Sequence, residues 1–215
     1  MAAGLTMSMS QELKSIIKAV YVMQTRHGPL TEQEFLSITS EKDLRDTIEK
    51  GYIIKHRNEP RYSLSGAGRS KIKVVLAGGV YDVLHLGHLA ALSEARTLGD
   101  VLIAVVATDI TVEMLKSRKP IFPQEDRRKL VEGLKPVDKA ILGYEDVGMG
   151  YEEVLMEVMP DVVAFGYDQE NLERSVREII TRHKLRIEMI KLSRYDNEKY
   201  LNSTSVRQKL SETLS

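Results

Sequence analysis

Residues 74–88 read VVLAGGVYDVLHLGH, and this stretch predicts how the second half of the chain folds. An apolar run ends in two glycines, an aspartate follows, and two histidines stand three residues apart around a glycine. The apolar run is typical of a buried strand, and LAALSEARTLG after it has a helical pattern. The sequence therefore predicts a strand, a loop and a helix, with polar side chains gathered where the strand ends.

Four further apolar runs alternate with helical patterns along the rest of the chain: VLIAVVA (101–107), KAILG (139–143), DVVAFG (161–166) and RIEMIKL (186–192). Nearly continuous Val, Ile and Leu runs between helices indicate a parallel sheet covered on both faces. We predict an α/β domain over residues 71–215 with a Rossmann-like, doubly wound sheet of five parallel strands. Such sheets bind ligands at the carboxyl ends of the strands, near the point where the strand order reverses.

The first seventy residues have a different pattern, with helices followed by a short hairpin. Thr31 and Glu34 form a capping-box pattern, Ser40 is placed to begin a third helix, and Gly51 is placed to end it. Residues 8–70 therefore resemble a small winged helix-turn-helix domain, and we predict a domain over residues 1–70. They carry 10 Lys and Arg against 8 Asp and Glu, a weak excess, so DNA binding, assembly and ligand sensing all stay open.

Composition excludes several kinds of site. The 215 residues include 31 Lys and Arg and 31 Asp and Glu, so net charge indicates neither a nucleic acid nor an anionic membrane. Cysteine is absent, which excludes disulfides, thiolate metal ligands and a cysteine nucleophile. The start of the chain lacks the pattern of a signal peptide, and the longest apolar run is too short to span a bilayer. We expect a cytoplasmic protein without a membrane partner.

The two histidines of residues 74–88, His85 and His88, are predicted to begin the helix that follows the first strand of the sheet and to project on the same side. Free N–H groups and the helix dipole favour a phosphate there, and Gly87 leaves room for it. Gly78 and Gly79 would allow a tight turn and the close approach of a ligand. Two imidazoles can donate hydrogen bonds to a pentacoordinate phosphate without gripping the substrate strongly, which favours the transition state.

Other interpretations of the histidines stay open at this point. They could be ordinary core or surface residues, or they could be a metal pair. Against zinc, the chain has no cysteine and lacks the glutamate of an H-E-x-x-H site. The glycine spacing matches neither the G-x-G-x-x-G dinucleotide fingerprint nor a Walker A loop.

The whole string G-G-x-Y-D-x-x-H-x-G-H matches the HxGH signature, and residues 73–210 resemble the cytidylyltransferase-like nucleotidyltransferases. The resemblance implies that His85 and His88 stabilise the α-phosphate of a nucleoside triphosphate while the phosphate of a second substrate attacks in line. Pyrophosphate then leaves without a covalent enzyme intermediate, usually with the help of Mg²⁺. The implied catalytic residues are His85, His88 and Lys119, and the resemblance implies no protein metal ligands.

Further segments complete the implied nucleotide site. The basic stretch around Lys116 and Lys119 follows the second strand of the sheet, GYDQ (166–169) ends the fourth, and S-T-S precedes the last helix. Asp82 would orient the substrate or the loop, or form an Asx-turn. Asp109 could face the site, although capping of a helix is favoured. Asp168 could contact the base or the ribose, or it could cap a helix. The implied nucleotide-binding residues are Gly78, Gly79, Val80, Tyr81, Asp82, Gly87, Arg127, Gly166, Tyr167, Asp168, Ser203, Thr204 and Ser205.

Several collinear segments, SRKPIFPQEDR (117–127), LKPVD (134–138), LGYED (142–146) and PDVVAFGYDQ (160–169), resemble archaeal FAD synthases, which are FMN adenylyltransferases. This resemblance implies ATP and FMN as substrates and a homodimer. The appended first half and the lack of cysteine depart from that family. Two alternatives stay open: a cytidylyltransferase that uses CTP and glycerol 3-phosphate or a similar phosphorylated alcohol or sugar, and a nucleotide- or flavin-sensing DNA-binding transcription regulator.

Overall fold

A computed structural model describes residues 2–145, 150–195 and 212, with side chains from residue 11 onward. The chain divides into two compact units, Met1–Lys73 and Val74–Ser215. Within the described residues, no helix combines the length and the apolar composition that crossing a membrane requires.

The first unit combines helices with a small antiparallel sheet in the order β1-β3-β2. Phe35, Leu44 and Tyr62 are among the buried residues of its core. The elements are α1 (Ala2–Gln24), β1 (Leu30–Thr31), α2 (Glu32–Ile38), α3 (Glu41–Glu49), β2 (Ile53–Lys55), β3 (Arg61–Leu64) and α4 (Gly66–Arg69).

The predicted helix boundaries of this unit are confirmed. Thr31 and Glu34 form a reciprocal capping box, Ser40 caps α3, and Gly51 adopts a φ of +71° just after α3 ends. Two elements were not predicted. β1 is only two residues long, too short to leave a sequence pattern, and the hairpin is followed by the short helix α4, which Ser65 caps. Membership of the winged-helix class stays a prediction.

The second unit contains five parallel strands in the order β6-β5-β4-β7-β8, which confirms the predicted sheet. Its strands are β4 (Val74–Gly79), β5 (Val101–Val106), β6 (Lys139–Leu142), β7 (Val162–Phe165) and β8 (Glu188–Lys191). Its helices are α5 (Leu86–Thr97), α6 (Asp109–Lys116), α7 (Gln124–Glu132), α8 (Gly150–Val158) and α9 (Glu170–His183).

The strand order reverses between β4 and β7, because the chain builds outward from β4 to β6 and then returns to the other side of β4. All six residues of β5 and the four of β7 are buried, as expected for strands covered on both faces. At the amino ends of the strands, Asp161 accepts a hydrogen bond from the Val74 N–H at 2.7 Å, and Asp138 accepts one from the Leu102 N–H at 2.8 Å. Ligands of such sheets bind at the opposite, carboxyl ends of the strands.

Replacing Thr31 with Ala should weaken the start of α2. The Thr31 hydroxyl accepts a hydrogen bond from the Glu34 N–H at 3.2 Å, and the Glu34 carboxylate accepts one from the Thr31 N–H at 2.7 Å. We expect Thr31→Ala to lower the free energy of unfolding by about 1 kcal/mol, measured by urea denaturation. Thr31→Ser, which keeps the hydroxyl, is the matched control and should stay close to wild type.

Candidate active site

The candidate site lies at the carboxyl ends of β4 and β7, where the strand order reverses. Gln169 joins these two ends: its side-chain amide donates to the Gly78 carbonyl at 2.9 Å and accepts from the Gly166 N–H at 2.8 Å. GYDQ was predicted to end the fourth strand of the sheet, but no role was predicted for Gln169. The three-residue spacing to Gly166 is a local signal, whereas the bond to Gly78 depends on pairing between strands far apart in the chain.

The glycines of the motif make room for aromatic rings of the protein itself. A Cβ at Gly78 would lie 2.5 Å from the Tyr151 hydroxyl, and a Cβ at Gly79 would lie 2.6 Å from the Tyr81 ring. At Gly87 a Cβ would lie 3.0 Å from the His85 ring. Gly78 and Gly79 are the last residues of β4, and the left-handed backbone conformation occurs instead at Tyr81, whose φ is 52°.

His85 and His88 lie side by side at the start of α5, where His85 is the N-terminal cap residue. Their rings stack with centroids 3.8 Å apart and an interplanar angle of 26°, which confirms that they project on the same side. The Nδ1 atoms of both rings are buried and have no hydrogen-bond partner among the described residues. The pair is therefore a set of polar groups that a ligand can use.

Burial keeps both imidazoles neutral near pH 7. It lowers the pKa of His88 to about 4, with a smaller contribution from neighbouring His85, and it also lowers the pKa of His85. A neutral imidazole has one N–H donor and one acceptor nitrogen. Tyr81 lies edge-on to the His88 ring at 5.3 Å, and burial raises the pKa of its phenol, so it stays protonated.

Asp82 holds the loop between α6 and α7. Its buried carboxylate accepts hydrogen bonds from the Ile121 N–H at 2.6 Å and the Phe122 N–H at 3.1 Å, and it pairs with Arg118 at 3.4 Å. Of the roles that the sequence left open for Asp82, the structure favours orientation of the loop. The same loop carries Lys119, which is exposed and whose ammonium group has no ion-pair partner among the described residues.

Arg127 also holds this loop in place. Its guanidinium is fully buried; it donates to the Phe122 carbonyl at 2.9 Å, to the Val80 carbonyl, and to the Asp109 carboxylate at 2.7 Å. All three of its nitrogens thus donate to protein groups, and the nucleotide contact that the sequence predicted for Arg127 stays a prediction. The cap predicted at Asp109 is wrong, because Thr108 caps α6 and Asp109 pairs with Arg127.

The remaining predicted residues lie at the edge of the site or outside the described part of the chain. Tyr167 and Asp168 follow β7 and are exposed, and the Arg194 guanidinium lies 5.4 Å from the centre of the Tyr167 ring. Asp168 does not cap α9, whose N-cap residue is Gln169. Lys116 is exposed at the end of α6. Ser203, Thr204 and Ser205 lie outside the described residues.

Comparison with known proteins gives consistent results. Residues 76–209 match the family model described as cytidylyltransferase-like. The FAD synthase of Thermoplasma acidophilum is 43% identical over 141 residues, which cover 65% of this chain and 95% of that protein. The FAD synthase of Aciduliprofundum boonei is 43% identical over 130 residues, covering 60% of this chain and 84% of that protein.

A solved structure also resembles the second unit. The crystal structure described as the lipopolysaccharide core biosynthesis protein from Thermoplasma volcanium GSS1 aligns with a TM-score of 0.54 and 38% identity, covering 58% of this chain and 99% of that chain. Fold and relatives together define a nucleotidyltransferase. Within that class, the chain belongs to the cytidylyltransferase-like family, whose model matches more than half of its length.

Asp82→Ala should destabilise the protein and loosen the loop that carries Lys119. The substitution leaves the N–H groups of Ile121 and Phe122 without their acceptor, so we expect a loss of about 1–3 kcal/mol in the free energy of unfolding. Urea denaturation measures this loss. Asp126→Ala, which removes an exposed carboxylate from α7, is the control and should change stability by at most about 0.5 kcal/mol. Equal effects at the two positions would contradict the loop-holding role.

Stability should fall as the pH is lowered from about 6.5 to about 4. In this window the unfolded chain binds a proton at His88, whose ordinary pKa is 6.5, while the folded chain, with its pKa lowered to about 4, does not. His88→Gln should reduce this fall, measured by urea denaturation at several pH values. His27→Gln, at an exposed histidine of the first unit, should retain it. An identical pH dependence in His88→Gln and wild type would contradict the assignment.

Proposed function

We propose that this chain is an FMN adenylyltransferase, which transfers AMP from ATP to FMN and releases pyrophosphate. The observation that carries the proposal is the stacked, neutral pair of His85 and His88 at the start of α5, at the edge where such sheets bind nucleotides. The choice of ATP and FMN is supported by relatives called FAD synthases that are 43% identical to this chain.

In the proposed reaction, a phosphate oxygen of FMN attacks the α-phosphorus of ATP. The new P–O bond forms as the bond to the bridging oxygen of the β-phosphate breaks, and that electron pair leaves with pyrophosphate. Negative charge on the α-phosphate oxygens is stabilised by hydrogen bonds from His85 and His88, which act as neutral donors. Lys119, on the loop held by Asp82, supplies a positive charge for the departing phosphates.

Nucleotidyltransferases of this class generally need a divalent cation, and we propose Mg²⁺. The described residues contain no group of three or more His, Asp or Glu side chains that could hold a metal ion. Mg²⁺ usually keeps several waters and binds through substrate phosphates with few protein ligands. The cation would supply charge neutralisation on the triphosphate.

A homodimer and a DNA contact through residues 1–70 stay predictions, as does a cytoplasmic location. The wing between β2 and β3 carries exposed basic side chains at Lys55, Arg57 and Arg61, which support the DNA contact.

Pyrophosphate release from a panel of substrate pairs tests the proposed reaction. Purified protein is incubated with Mg²⁺, each of several nucleoside triphosphates and each of several phosphorylated acceptors. We expect release with ATP and FMN, with FAD as the second product. Release only with CTP and glycerol 3-phosphate would instead establish the cytidylyltransferase alternative. No release with any pair, together with specific retention of a DNA sequence, would favour the regulator.

His88→Ala should lower turnover while leaving nucleotide affinity nearly unchanged. Loss of one donor that acts on the transition state reduces kcat by roughly 10²–10³-fold. Steady-state kinetics measures turnover, and equilibrium titration with ATP measures affinity. His56→Ala, in the hairpin of the first unit, is the control and should keep wild-type turnover. An equal loss of binding and rate would mean that His88 serves the ground state.

A further inference from the structure

Tyr151, the second residue of α8, places a buried hydroxyl beside the end of β4. The oxygen would lie 2.5 Å from a Cβ built at Gly78, and the nearest ring carbons would lie 3.4 Å from it. No described residue forms a hydrogen bond with this hydroxyl. Tyr151 lies outside the predicted motifs, and the proposed reaction gives it no role.

The topology brings Tyr151 to the candidate site from the side opposite to the histidines. Right-handed crossovers place α5 and α7 on one face of the sheet, because the chain there moves from β4 toward β6. The return from β6 to β7 places α8 on the other face, where it packs against α9. The end of β4 is therefore flanked by His85 and His88 on one side and by Tyr151 on the other.

An unpartnered hydroxyl at this position costs stability that a phenylalanine ring would not cost. Burial raises the pKa of Tyr151, so the group stays protonated and can act as a hydrogen-bond donor. The pKa of Tyr81, which lies beside His88, is raised mainly by burial and to a smaller extent by the electrostatic interaction with Tyr151. Tyr151 and Tyr81 thus lie against the two consecutive glycines that end β4.

We propose that Tyr151 is a substrate-binding residue whose hydroxyl donates a hydrogen bond to a substrate phosphate at the end of β4. The proposal rests on the proposed nucleotidyl transfer, which brings two phosphate-bearing substrates to this edge. The phosphate can belong to the nucleoside triphosphate or to the acceptor, and the hydrogen-bond chemistry is the same in both cases. The experiment separates these two sources.

Tyr151→Phe removes only the oxygen, so it is the test variant. Calorimetric titration measures binding of ATP and of FMN separately, and steady-state kinetics gives KM for each. We expect affinity for one of the two substrates to fall roughly tenfold, with the KM of that substrate rising and the other changing by less than twofold. A loss for ATP assigns the contact to the triphosphate, and a loss for FMN assigns it to the acceptor.

The melting temperature of the ligand-free protein separates substrate binding from a structural role. Because the hydroxyl has no described partner in the protein, Tyr151→Phe should melt at the wild-type temperature or above it. Tyr144→Phe is the matched control: it loses a hydrogen bond to Glu157 at 3.0 Å, and should bind both substrates as wild type does. A lower melting temperature for Tyr151→Phe, or affinities within twofold of wild type for both substrates, would overturn the proposal.

Failure of the proposed function would be visible separately. If the wild type reacts only with another pair, such as CTP and glycerol 3-phosphate, the choice of ATP and FMN is wrong, and the comparison of Tyr151→Phe with wild type is made with that pair. If wild type gives no turnover, titration with ATP, FMN and inorganic pyrophosphate still compares the two proteins. Wild type that binds none of these phosphates would overturn the role of Tyr151 as well.

Discussion

Gly78 and Gly79 leave no space for a side chain at the carboxyl end of β4, and the candidate site depends on that constraint. A Cβ at Gly78 would meet the Tyr151 hydroxyl, and one at Gly79 would meet the Tyr81 ring. Two aromatic side chains can therefore lie against the central strand where the strand order reverses. Closely packed interiors tolerate added atoms poorly, so these rings could not keep their positions beside larger residues.

Buried charges hold the loop that faces this edge. The Asp82 carboxylate accepts hydrogen bonds from backbone N–H groups of the loop, while the Arg127 guanidinium donates to the Phe122 carbonyl of the loop and to the Val80 carbonyl, and pairs with Asp109. A buried ion is costly unless its hydrogen-bonding capacity is used, and these two residues use theirs on backbone groups that have no partner in a regular helix or strand. The position of Lys119 thus depends on side chains that do not need to touch a substrate.

Neutral imidazoles suit a site that must stabilise charge only while it develops. In the proposed reaction, two permanent cations at the start of α5 would bind the ground-state triphosphate tightly, whereas the buried pair of His85 and His88 would offer donors whose hydrogen bonds strengthen as charge builds. The low pKa of His88 follows from the same burial that removes water from the pair. Desolvation therefore sets the protonation state and strengthens the hydrogen bonds together.

The sequence by itself determined the parallel sheet, the ends of the helices in the first unit and the pairing of His85 with His88. These features depend on periodicity, capping and three-residue spacing, which are local properties of the chain. The tertiary structure alone decided that Arg127 is buried, that Asp82 holds the loop, that Gln169 joins β4 to β7 and that Tyr151 reaches Gly78. Each of these contacts joins residues that lie 18 to 91 positions apart in the chain. The burial and the partners of these residues therefore follow from tertiary packing, which leaves no local pattern in the sequence.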